Sequence, residues 1–593
     1  MSQTRITAYP FFAAIALAVT ALSPALPATP ESIQGAGPTE IRYVGSDPVD
    51  CDHSTIQAAV DAAISGAEIR VVEGTGYGTV DIGDVGALTI RGGYEICSPS
   101  AGVTGRSVLD GGNSSTVIEV STTLNPITVV LENLTLQNGT GVDKAGGLHI
   151  EGPAHDVWLR NVRILDNTAT DSPGDNNTGH GAGIRLDSSA ANLYIQDASQ
   201  IANNAADGDG GGIHCNAEGG STVYVTFEDG AIQGNTAGLG GGIYAANCYI
   251  ESLAGGFLGG IFGNEASGPG GGIYAKAGST IKLLGTEGPT GNGDPHKPAN
   301  LVSNTAVGYG GGAYLVGAGT TMTAIDAVIA NNSSDVSGGG VFVHTQASLD
   351  MYRAYGTDCV SFDEPLSPPP CSRLDNNNSP GGGGAVASIG GTVAISQTFM
   401  TGSSAIGDGA LILLYSAQAT LEGNVVHDNS NGSLFLIDDG AEMSLGWSTI
   451  TGNSPGTGNP IIRAKAGSGD TTRLHLYSNI IRESGADILS QEPANGGQVL
   501  LDTADCLITH ELASLPGATR STVADPLFVN PAADDYHIRA GSPAIDYCDD
   551  TNEPVRPGDM DGEWRGVDVI AGAMNWDVGA DELYDTLFSD RFE

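Results

Sequence analysis

The stretch Ile232-Gln-Gly-Asn-Thr-Ala-Gly-Leu-Gly-Gly-Gly-Ile-Tyr244 decides the fold, because close copies of it recur along the chain. Each copy joins a hydrophobic-x-x-Asn step to a glycine cluster that runs into an apolar pair. The last glycines of the copies fall at positions 183, 212, 242, 272, 312, 340, 384 and 409. A repeat of this size is typical of a solenoid in which each copy forms one coil.

The residues of one copy favour strands and tight corners over helix. Three consecutive glycines would each destabilise a helix by about 1 kcal/mol, whereas Ile-Tyr and Val-Phe pairs fit a pleated surface. We therefore predict an all-β, single-stranded right-handed parallel β-helix with three strands and three corners per coil. The repeat region should contain roughly fifteen such coils. The longer steps predict inserted loops at Gly285–Asn300 and Tyr355–Arg373.

Two kinds of side chain recur at fixed places in the coil. Asparagines at the same place can bond through their amides from coil to coil. The predicted ladder is Asn204, Asn235, Asn264, Asn304 and Asn331. The tyrosines that follow the glycines, at positions 244, 274 and 314, are expected to fill the coil stack rather than to bind sugar.

Composition limits the possible functions. Lysine and arginine number 23 against 68 acidic residues, which gives a net charge of −45. Such a surface repels nucleic acid and anionic lipid, so a nucleic-acid partner is not expected. Acids can attract Ca²⁺, but no cofactor is predicted, because acids that only keep an exported surface soluble explain the same composition. The chain is expected to be a monomer.

The N-terminus predicts export. Residues 1–28 carry Arg5, an apolar run at Phe11–Leu22 and then small residues and prolines, as a secretory signal peptide does. No transmembrane helix is expected in the mature chain. The expected location is the cell exterior or the outer-membrane surface.

The even number of cysteines also favours export. The disulfide candidates are Cys51, Cys97, Cys215, Cys248, Cys359, Cys371, Cys506 and Cys548. Sequence alone allows 105 pairings of eight cysteines, and we expect the nearest neighbours to pair. Cys215 and Cys248 should face the same side of adjoining coils. No metal site is predicted, because the cysteines form neither a CxxC motif nor a cluster with histidines.

The expected organisation has five parts. Residues 1–28 form the signal peptide, 29–125 an N-terminal cap with the first coils, 126–520 the repeats, 521–582 a closing unit, and 583–593 a short tail. In the cap, an amphipathic helix should begin after a Ser or Thr near His53 and cover the open end of the solenoid. The closing unit should cover the strand edges of the last coil.

The paired Ile-x-x-Asn and Gly-Gly-Gly-Ile motifs resemble the repeats of polymorphic outer membrane proteins. Residues Asp525-Pro-Leu-Phe528, Ser542–Asp546 and Asp577–Glu582 resemble the choice-of-anchor Q segment of bacterial surface proteins. The first resemblance implies a surface-exposed β-helix, although the eleven residues after Glu582 are too few for an autotransporter barrel. Within this segment we expect Asp546, Asp561, Arg565 and Glu582 to form a polar network. The tail is expected to be either a frayed terminus or a short sorting signal.

Several residues invite a catalytic interpretation. Gly179-His-Gly181 is similar to a motif of galacturonan hydrolases, and Arg160, Arg163 and Arg185 are clustered cations of the kind that lyases use as a base. Asp207–Gly210 and Asp559–Glu563 resemble fragments of calcium loops, although turn chemistry also explains Asp-Gly. None of these motifs is complete, so no catalytic, cofactor-binding or metal residue is predicted.

Two functions remain open, and the sequence leans towards the first. One is a non-catalytic rod for adhesion or envelope contact, whose partner is a polysaccharide or another surface protein. The other is a secreted polysaccharide lyase or glycoside hydrolase that acts on acidic polysaccharide. An enzyme should concentrate acids, a base and aromatic sugar platforms on adjacent coils of one face.

Overall fold

A computed structural model describes residues 38–122, 125–153, 155–172, 178–188, 191–217, 222–253, 259–285, 298–354, 372–483, 485–549, 559–560 and 575–581. Within these residues the chain is a right-handed parallel β-helix, as predicted. Each coil passes in turn through sheet I, sheet II, in the middle coils a short sheet III, and sheet IV. The middle coils thus have four strands rather than the three predicted, because the residues just after each ladder asparagine form a short ladder of their own.

Two sheets contain sixteen described strands each. Those of sheet I are Glu40–Val44, Ala67–Val72, Ala87–Tyr94, Thr128–Glu132, Asp156–Arg160, Asn192–Gln196, Val223–Glu228, Cys248–Leu253, Thr280–Leu284, Thr321–Ile325, Ser348–Tyr352, Thr392–Ser396, Gln418–Glu422, Glu442–Gly446, Thr471–Tyr477 and Gln498–Asp505. Those of sheet II are Gly74–Tyr77, Ser107–Asp110, Leu134–Gln137, Arg163–Leu165, Gln200–Ala202, Ala231–Gln233, Gly260–Phe262, Ala299–Val302, Ala327–Ala330, Arg373–Asp375, Phe399–Thr401, Val425–His427, Thr449–Thr451, Ile480–Arg482, Ile508–Thr509 and Thr522–Val523.

The other two sheets complete the coil. The described strands of sheet III are Thr140–Val142, Thr168–Thr170, Ala205–Ala206, Thr236–Ala237, Glu265–Ala266, Thr305–Ala306, Ser333–Ser334, Asn378–Ser379 and Ser404–Ala405. Those of sheet IV are Val80–Ile82, Ile118–Ser121, Leu148–Gly152, Ile184–Ser188, Ile213–Asn216, Ile243–Ala246, Ile273–Lys276, Ala313–Val316, Val341–His344, Val386–Ile389, Ile412–Tyr415, Phe435–Asp438, Ile462–Ala466 and Leu489–Pro493.

Alternation along each strand separates the interior from the surface. In the strand Ile243–Ala246, the side chains of Ile243 and Ala245 join the central hydrophobic core, and Tyr244 faces outward. Successive strands are in register, so Tyr244 pairs with Tyr274 of the next coil. The interior is therefore a continuous apolar column, and the outer surface consists of rows of equivalent residues, one per coil.

The predicted asparagine ladder is present inside the column. Each side-chain amide donates to the Oδ1 of the next asparagine over 2.9–3.1 Å, and each of these asparagines is at most 1% exposed. The members are Asn167, Asn204, Asn235, Asn264, Asn304, Asn332 and Asn377. Asn331 was assigned wrongly, because the motif of its coil begins at Ile329, which pairs with Leu301. Asn331 occupies the left-handed corner at φ 54°.

The first and last glycines of a triplet are required for different reasons. Gly240 has φ +60°, a conformation that side chains disfavour. At Gly242 the constraint is space, because a Cβ atom there would lie 2.6 Å from the carbonyl oxygen of Gly272 in the next coil. The triplet therefore both turns the chain and lets adjacent coils approach closely.

Three disulfides link the described cysteines, with Cα separations of 5.2, 6.4 and 5.8 Å. They are Cys51–Cys97, Cys215–Cys248 and Cys506–Cys548. Cys215 lies in sheet IV and Cys248 begins a sheet I strand about one turn later, with both side chains in the core, so this bond joins the two sheets at the corner between them. Cys359 and Cys371 lie outside the described residues, as do most of both inserted loops, 286–297 and 355–371.

The N-terminal helix spans Ile56–Ala62 after the N-cap Thr55, whose hydroxyl accepts from the N–H of Ala58. It buries Ile56, Ala59 and Val60 in the core. Among the described residues, no helix combines the length and apolar character needed to cross a membrane.

The C-terminal segment, the described residues of 524–581, lies along the side of the rod. It forms a hairpin of Phe528–Asn530 and Asp535–Ile538, a short 3₁₀ turn Pro531–Ala533, and a second antiparallel pair, Cys548–Asp549 with Asn575–Trp576. Its apolar side chains form a core with residues that point outward from sheet II. Those residues are Phe399, Val425, Ile480 and Ile508. Of the predicted closing unit, Thr522–Val523 pairs with the edge of Ile508–Thr509, whereas these later contacts lie along the side of the rod.

Backbone contacts extend this docking along the rod. Arg353 donates to the carbonyl of Met560 over 2.9 Å, and the N–H of Ala580 donates to Thr449 Oγ1 over 3.0 Å. The segment is therefore fixed to several coils, from Arg353 onward.

Replacement of Asn264 by alanine should destabilise the rod. It removes three buried bonds: those that Asn264 accepts from the backbone N–H and from one side-chain N–H of Asn235, and the one it donates to the carbonyl of Ile232. With about 1–3 kcal/mol for each orphaned group, we expect a loss of at least about 3 kcal/mol in urea unfolding at an unchanged m-value. The control is Asn192→Ala, which removes one partly exposed bond to Asp156. Equal losses for both variants would contradict a structural role of the ladder.

The docking of the C-terminal segment can be tested with two valines of one outward row. The row runs Val328, Arg373, Phe399, Val425 along sheet II. Val425 is 1% exposed under the segment, whereas Val328 is only half-buried. Val425→Asp should bury an unpaired carboxylate and release the segment, so limited proteolysis should cut faster between 524 and 549. Val328→Asp should leave this cleavage rate unchanged, and equal rates in both variants would contradict the docking.

Candidate functional site

The outer face of sheet IV carries a cluster of polar and aromatic side chains. One outward row contains Arg185, His214, Tyr244, Tyr274, Tyr314 and Phe342, in register from coil to coil. The sequence produces this row because the residue after each glycine cluster points inward and the next one points outward.

The aromatic residues of this row stack on one another. Ring centroids are 5.5 Å apart for Tyr244 and Tyr274, 5.2 Å for Tyr274 and Tyr314, and 5.4 Å for Tyr314 and Phe342, with planes within 17° of parallel. The tyrosines were expected to fill the coil stack, and their rings do stack from coil to coil, on the outer face of sheet IV. Their ring faces cover each other, so only the edges and hydroxyl groups are available to a ligand.

A groove of about 750 Å³ lies at the polar end of this row. Its floor is the outward face of five consecutive strands of sheet IV, and the corner between sheets III and IV forms one side. The floor contributes Glu151, Arg185, Asp187, His214, Asn216, Tyr244 and Lys276, and the corner contributes His180, Asp209, Gly238, Leu239, Ser267 and Gly268. At about 4.8 Å per strand the groove is about 19 Å long.

Asp209 is the most perturbed acid of the groove. Its side chain is 8% exposed, and burial raises the pKa of its carboxyl to about 6, against the attraction of Lys276. Near neutral pH this carboxyl therefore exchanges a proton readily. The Lys276 ammonium lies 5.1 Å from the centre of the Tyr244 ring, on the same floor.

His180 and His214 connect Asp209 to the stacked tyrosines through a hydrogen bond and ring contacts. The backbone N–H of Asp209 donates to His180 Nδ1 over 2.9 Å, which makes this nitrogen an acceptor. The His180 ring stacks on His214 at 4.6 Å, and His214 stacks on Tyr244 at 4.8 Å. Burial lowers the pKa of His214 well below its usual value, so this ring is neutral.

Of the three clustered arginines, only Arg185 reaches the groove. Its Nε lies 2.6 Å from Asp187 Oδ2, and Nη1 donates to the carbonyl of Thr178. Arg160 lies over Trp158 on sheet I, and Arg163 belongs to sheet II. Register thus separates cations that are close in sequence, and it brings His180, Arg185 and Asp209 together from adjoining coils.

The two calcium-loop fragments differ in how much of each is described. Asp207 is exposed and accepts the N–H of Asp171. Asp559 is buried, while Asp561 and Glu563 lie outside the described residues.

Only part of the predicted polar network is described. Asp546 donates its N–H to Asp577 Oδ1, and Asp581 accepts the N–H of Ile538. Arg565 and Glu582 lie outside the described residues, as does Asp561. Asp577 and Asp581 were not predicted to belong to this network, although both lie within Asp577–Glu582.

Comparisons with known proteins give no family for this chain. No family model and no curated protein matches it, so the resemblances to polymorphic outer membrane repeats and to choice-of-anchor segments gain no support. Two solved structures are similar in part. Escherichia coli YbhC is 16% identical, with a TM-score of 0.22, and the match covers 42% of this chain and 72% of YbhC. The deglycosylated pectin methylesterase of Aspergillus niger is 15% identical, with a TM-score of 0.17, and the match covers 65% of this chain and 87% of the esterase. At these scores they say nothing about activity.

Replacement of Asp209 by asparagine should stabilise the protein in a pH-dependent way. The folded state holds the Asp209 proton up to a pKa of about 6, above the ordinary 3.8 of the unfolded chain, so the wild type loses stability as pH rises between these values. The gain of Asp209→Asn over wild type should grow from pH 4 to 6 and then level off, at no more than about 3 kcal/mol. Urea unfolding across this range measures it. The control is the exposed Asp207→Asn, and a gain independent of pH would contradict the raised pKa.

Proposed function

We propose that this protein is an exported rod that binds a polysaccharide in the groove on sheet IV. The observation that carries the proposal is the concentration of Glu151, Arg185, Asp187, Asp209 and Lys276 in one groove across adjacent coils. Hydroxyl-rich sugars are recognised by such mixed donors and acceptors, and the extended floor matches an extended chain. Disulfides are compatible with a location outside the cell.

The charges of the groove favour a neutral polysaccharide over an acidic one. Three carboxyl groups face two cations, and both cations already lie near acids: Arg185 next to Asp187, and Lys276 near Asp209. A polyanion would also meet the field of a chain with net charge −45. A neutral chain pays no such cost and still satisfies the polar groups of the groove by hydrogen bonds.

The aromatic residues favour binding over catalysis. The tyrosine ring faces are covered by their neighbours, so the row does not supply the open sugar platforms expected of an enzyme cleft. A rod that holds a polysaccharide along its side is consistent with adhesion or envelope contact.

One observation favours hydrolysis as a second candidate. The pKa of Asp209, raised to about 6, suits a general acid, and Glu151 and Asp187 supply further carboxylates in the same groove. A glycoside hydrolase requires such a pair of carboxyl groups with different protonation. The two candidates share the ligand and differ in whether new reducing ends are formed.

The binding site can be tested with a matched pair of lysines. Lys276 lies 5.1 Å over Tyr244 in the groove, and Lys282 lies 5.2 Å over Tyr249 on sheet I. Calorimetric titration with neutral oligosaccharides should show binding that Lys276→Met weakens by about tenfold, as expected for loss of a charge-assisted hydrogen bond, and that Lys282→Met leaves unchanged.

The same titrations separate the alternatives. A uronate panel run in parallel tests the charge argument, and release of reducing ends from the bound sugars at pH 5–7 would favour the hydrolase. Absence of binding to every sugar, or equal effects of the two lysine variants, would overturn the proposed site.

A further inference from the structure

A second cluster of functional side chains lies where the C-terminal segment meets sheet II. His427 ends the strand Val425–His427, Asp428 follows it, and Asp534 lies in the turn of the docked hairpin. One donor atom from each residue lies within 4.8 Å of the other two. The first two residues come from a coil and the third from a segment more than a hundred positions later, so docking creates the cluster.

The imidazole of His427 is held in place. His427 Nδ1 lies 2.9 Å from Asp428 Oδ2 and 3.8 Å from Asp534 Oδ1. The His427 residue is only 6% exposed, and its ring packs against Tyr536 at a centroid distance of 5.2 Å. Tyr536 in turn donates its hydroxyl to Asp534 Oδ1 over 3.4 Å. The cluster is thus a buried nitrogen donor with two partly exposed carboxylates around it.

The cluster carries negative charge that basic side chains do not balance. In the described part of the chain, neither Asp428 nor Asp534 lies within ion-pair distance of a lysine or arginine, and both approach His427. The two carboxylates therefore repel each other across the cluster. A cation bound among the three side chains would relieve this repulsion.

The donor set identifies the class of cation. One imidazole nitrogen and two carboxylates are a common set for Zn²⁺, with a fourth position left to water, whereas Ca²⁺ takes oxygen ligands only. Zn–ligand bonds of about 2.0–2.1 Å place tetrahedral donors about 3.3 Å apart. The observed separations of 2.9 and 3.8 Å lie on either side of this value.

We propose that His427, Asp428 and Asp534 bind a zinc-type divalent cation that clamps the C-terminal segment to the side of the rod. The cation joins a ligand pair on the coil to a ligand in the hairpin turn. Its binding therefore stabilises the docked arrangement over the undocked one by mass action.

The experiment uses the full chain, freed of metal with EDTA and titrated with Zn²⁺ by calorimetry. Asp534→Asn is nearly isosteric at a partly exposed position, so the variant folds, and it should bind Zn²⁺ at least about tenfold more weakly. The control is Asp525→Asn, a carboxylate of the same segment that faces Arg482 and lies outside the cluster. Its affinity should equal that of the wild type.

A second measurement reports on the clamp itself. Zn²⁺ should slow proteolysis of the hairpin Phe528–Ile538 in the wild type and in Asp525→Asn, but not in Asp534→Asn. Absence of Zn²⁺ binding in the wild type, equal affinity in Asp534→Asn, or tighter binding of Ca²⁺ than of Zn²⁺ would each overturn the proposal.

Discussion

The amide-to-amide bonds of the asparagine ladder fix the register on which every other feature depends. Each ladder asparagine also donates to a carbonyl of the preceding coil, as Asn264 does to Ile232, so a slip of one residue would break several buried bonds at once. Because the register is constant, a residue has its counterpart about 4.8 Å away in the next coil. The chemistry of the surface is then set row by row.

Two such rows account for the groove on sheet IV and for the docking of the C-terminal segment. On sheet IV the outward row changes from charged residues to tyrosines, and the groove lies at this change. Burial of Asp209 in the groove is the main cause of its raised pKa. On sheet II the row changes from Val328 and Arg373 to Phe399 and Val425, and the C-terminal segment covers the apolar part. In both places the backbone repeats regularly while the residue types on its surface change from coil to coil. Such changes give a repeat fold a local, specific surface.

The sequence predicts the coil well because glycine and asparagine act locally. The β-helix and the ladder follow from residues within a single repeat, and the N-terminal helix follows from its own cap and apolar face. The phase error at Asn331 arose because Asn331-Asn332 offers two amides, and only pairing with the neighbouring coil distinguishes them. The fourth strand was not predicted, because two or three residues per coil are too few to produce a pattern.

The sites could be predicted only in part, for a related reason. His180, Arg185 and Asp209 each belong to a motif described in the sequence. Whether they lie close together depends on the number of residues per coil, and this number varies along the chain. The position of Tyr244 on the outer face of sheet IV was not predicted, because the alternation of side chains does not tell which face is which without the phase of the strand. The grouping of His427 with Asp534 depends on where the C-terminal segment docks, and the only signal in the sequence was an outward row that becomes apolar near its end.

The side-on docking of the C-terminal segment also has a consequence for the order of folding. Its bonds to Arg353, Gln397 and Thr449 join residues 207, 162 and 131 positions apart, whereas coil-to-coil bonds join residues about thirty apart. Contacts of such long sequence separation form late, after local ones have reduced the entropy of closure. The surface that receives the segment exists only once several coils have stacked, so docking marks the completion of the rod during biogenesis.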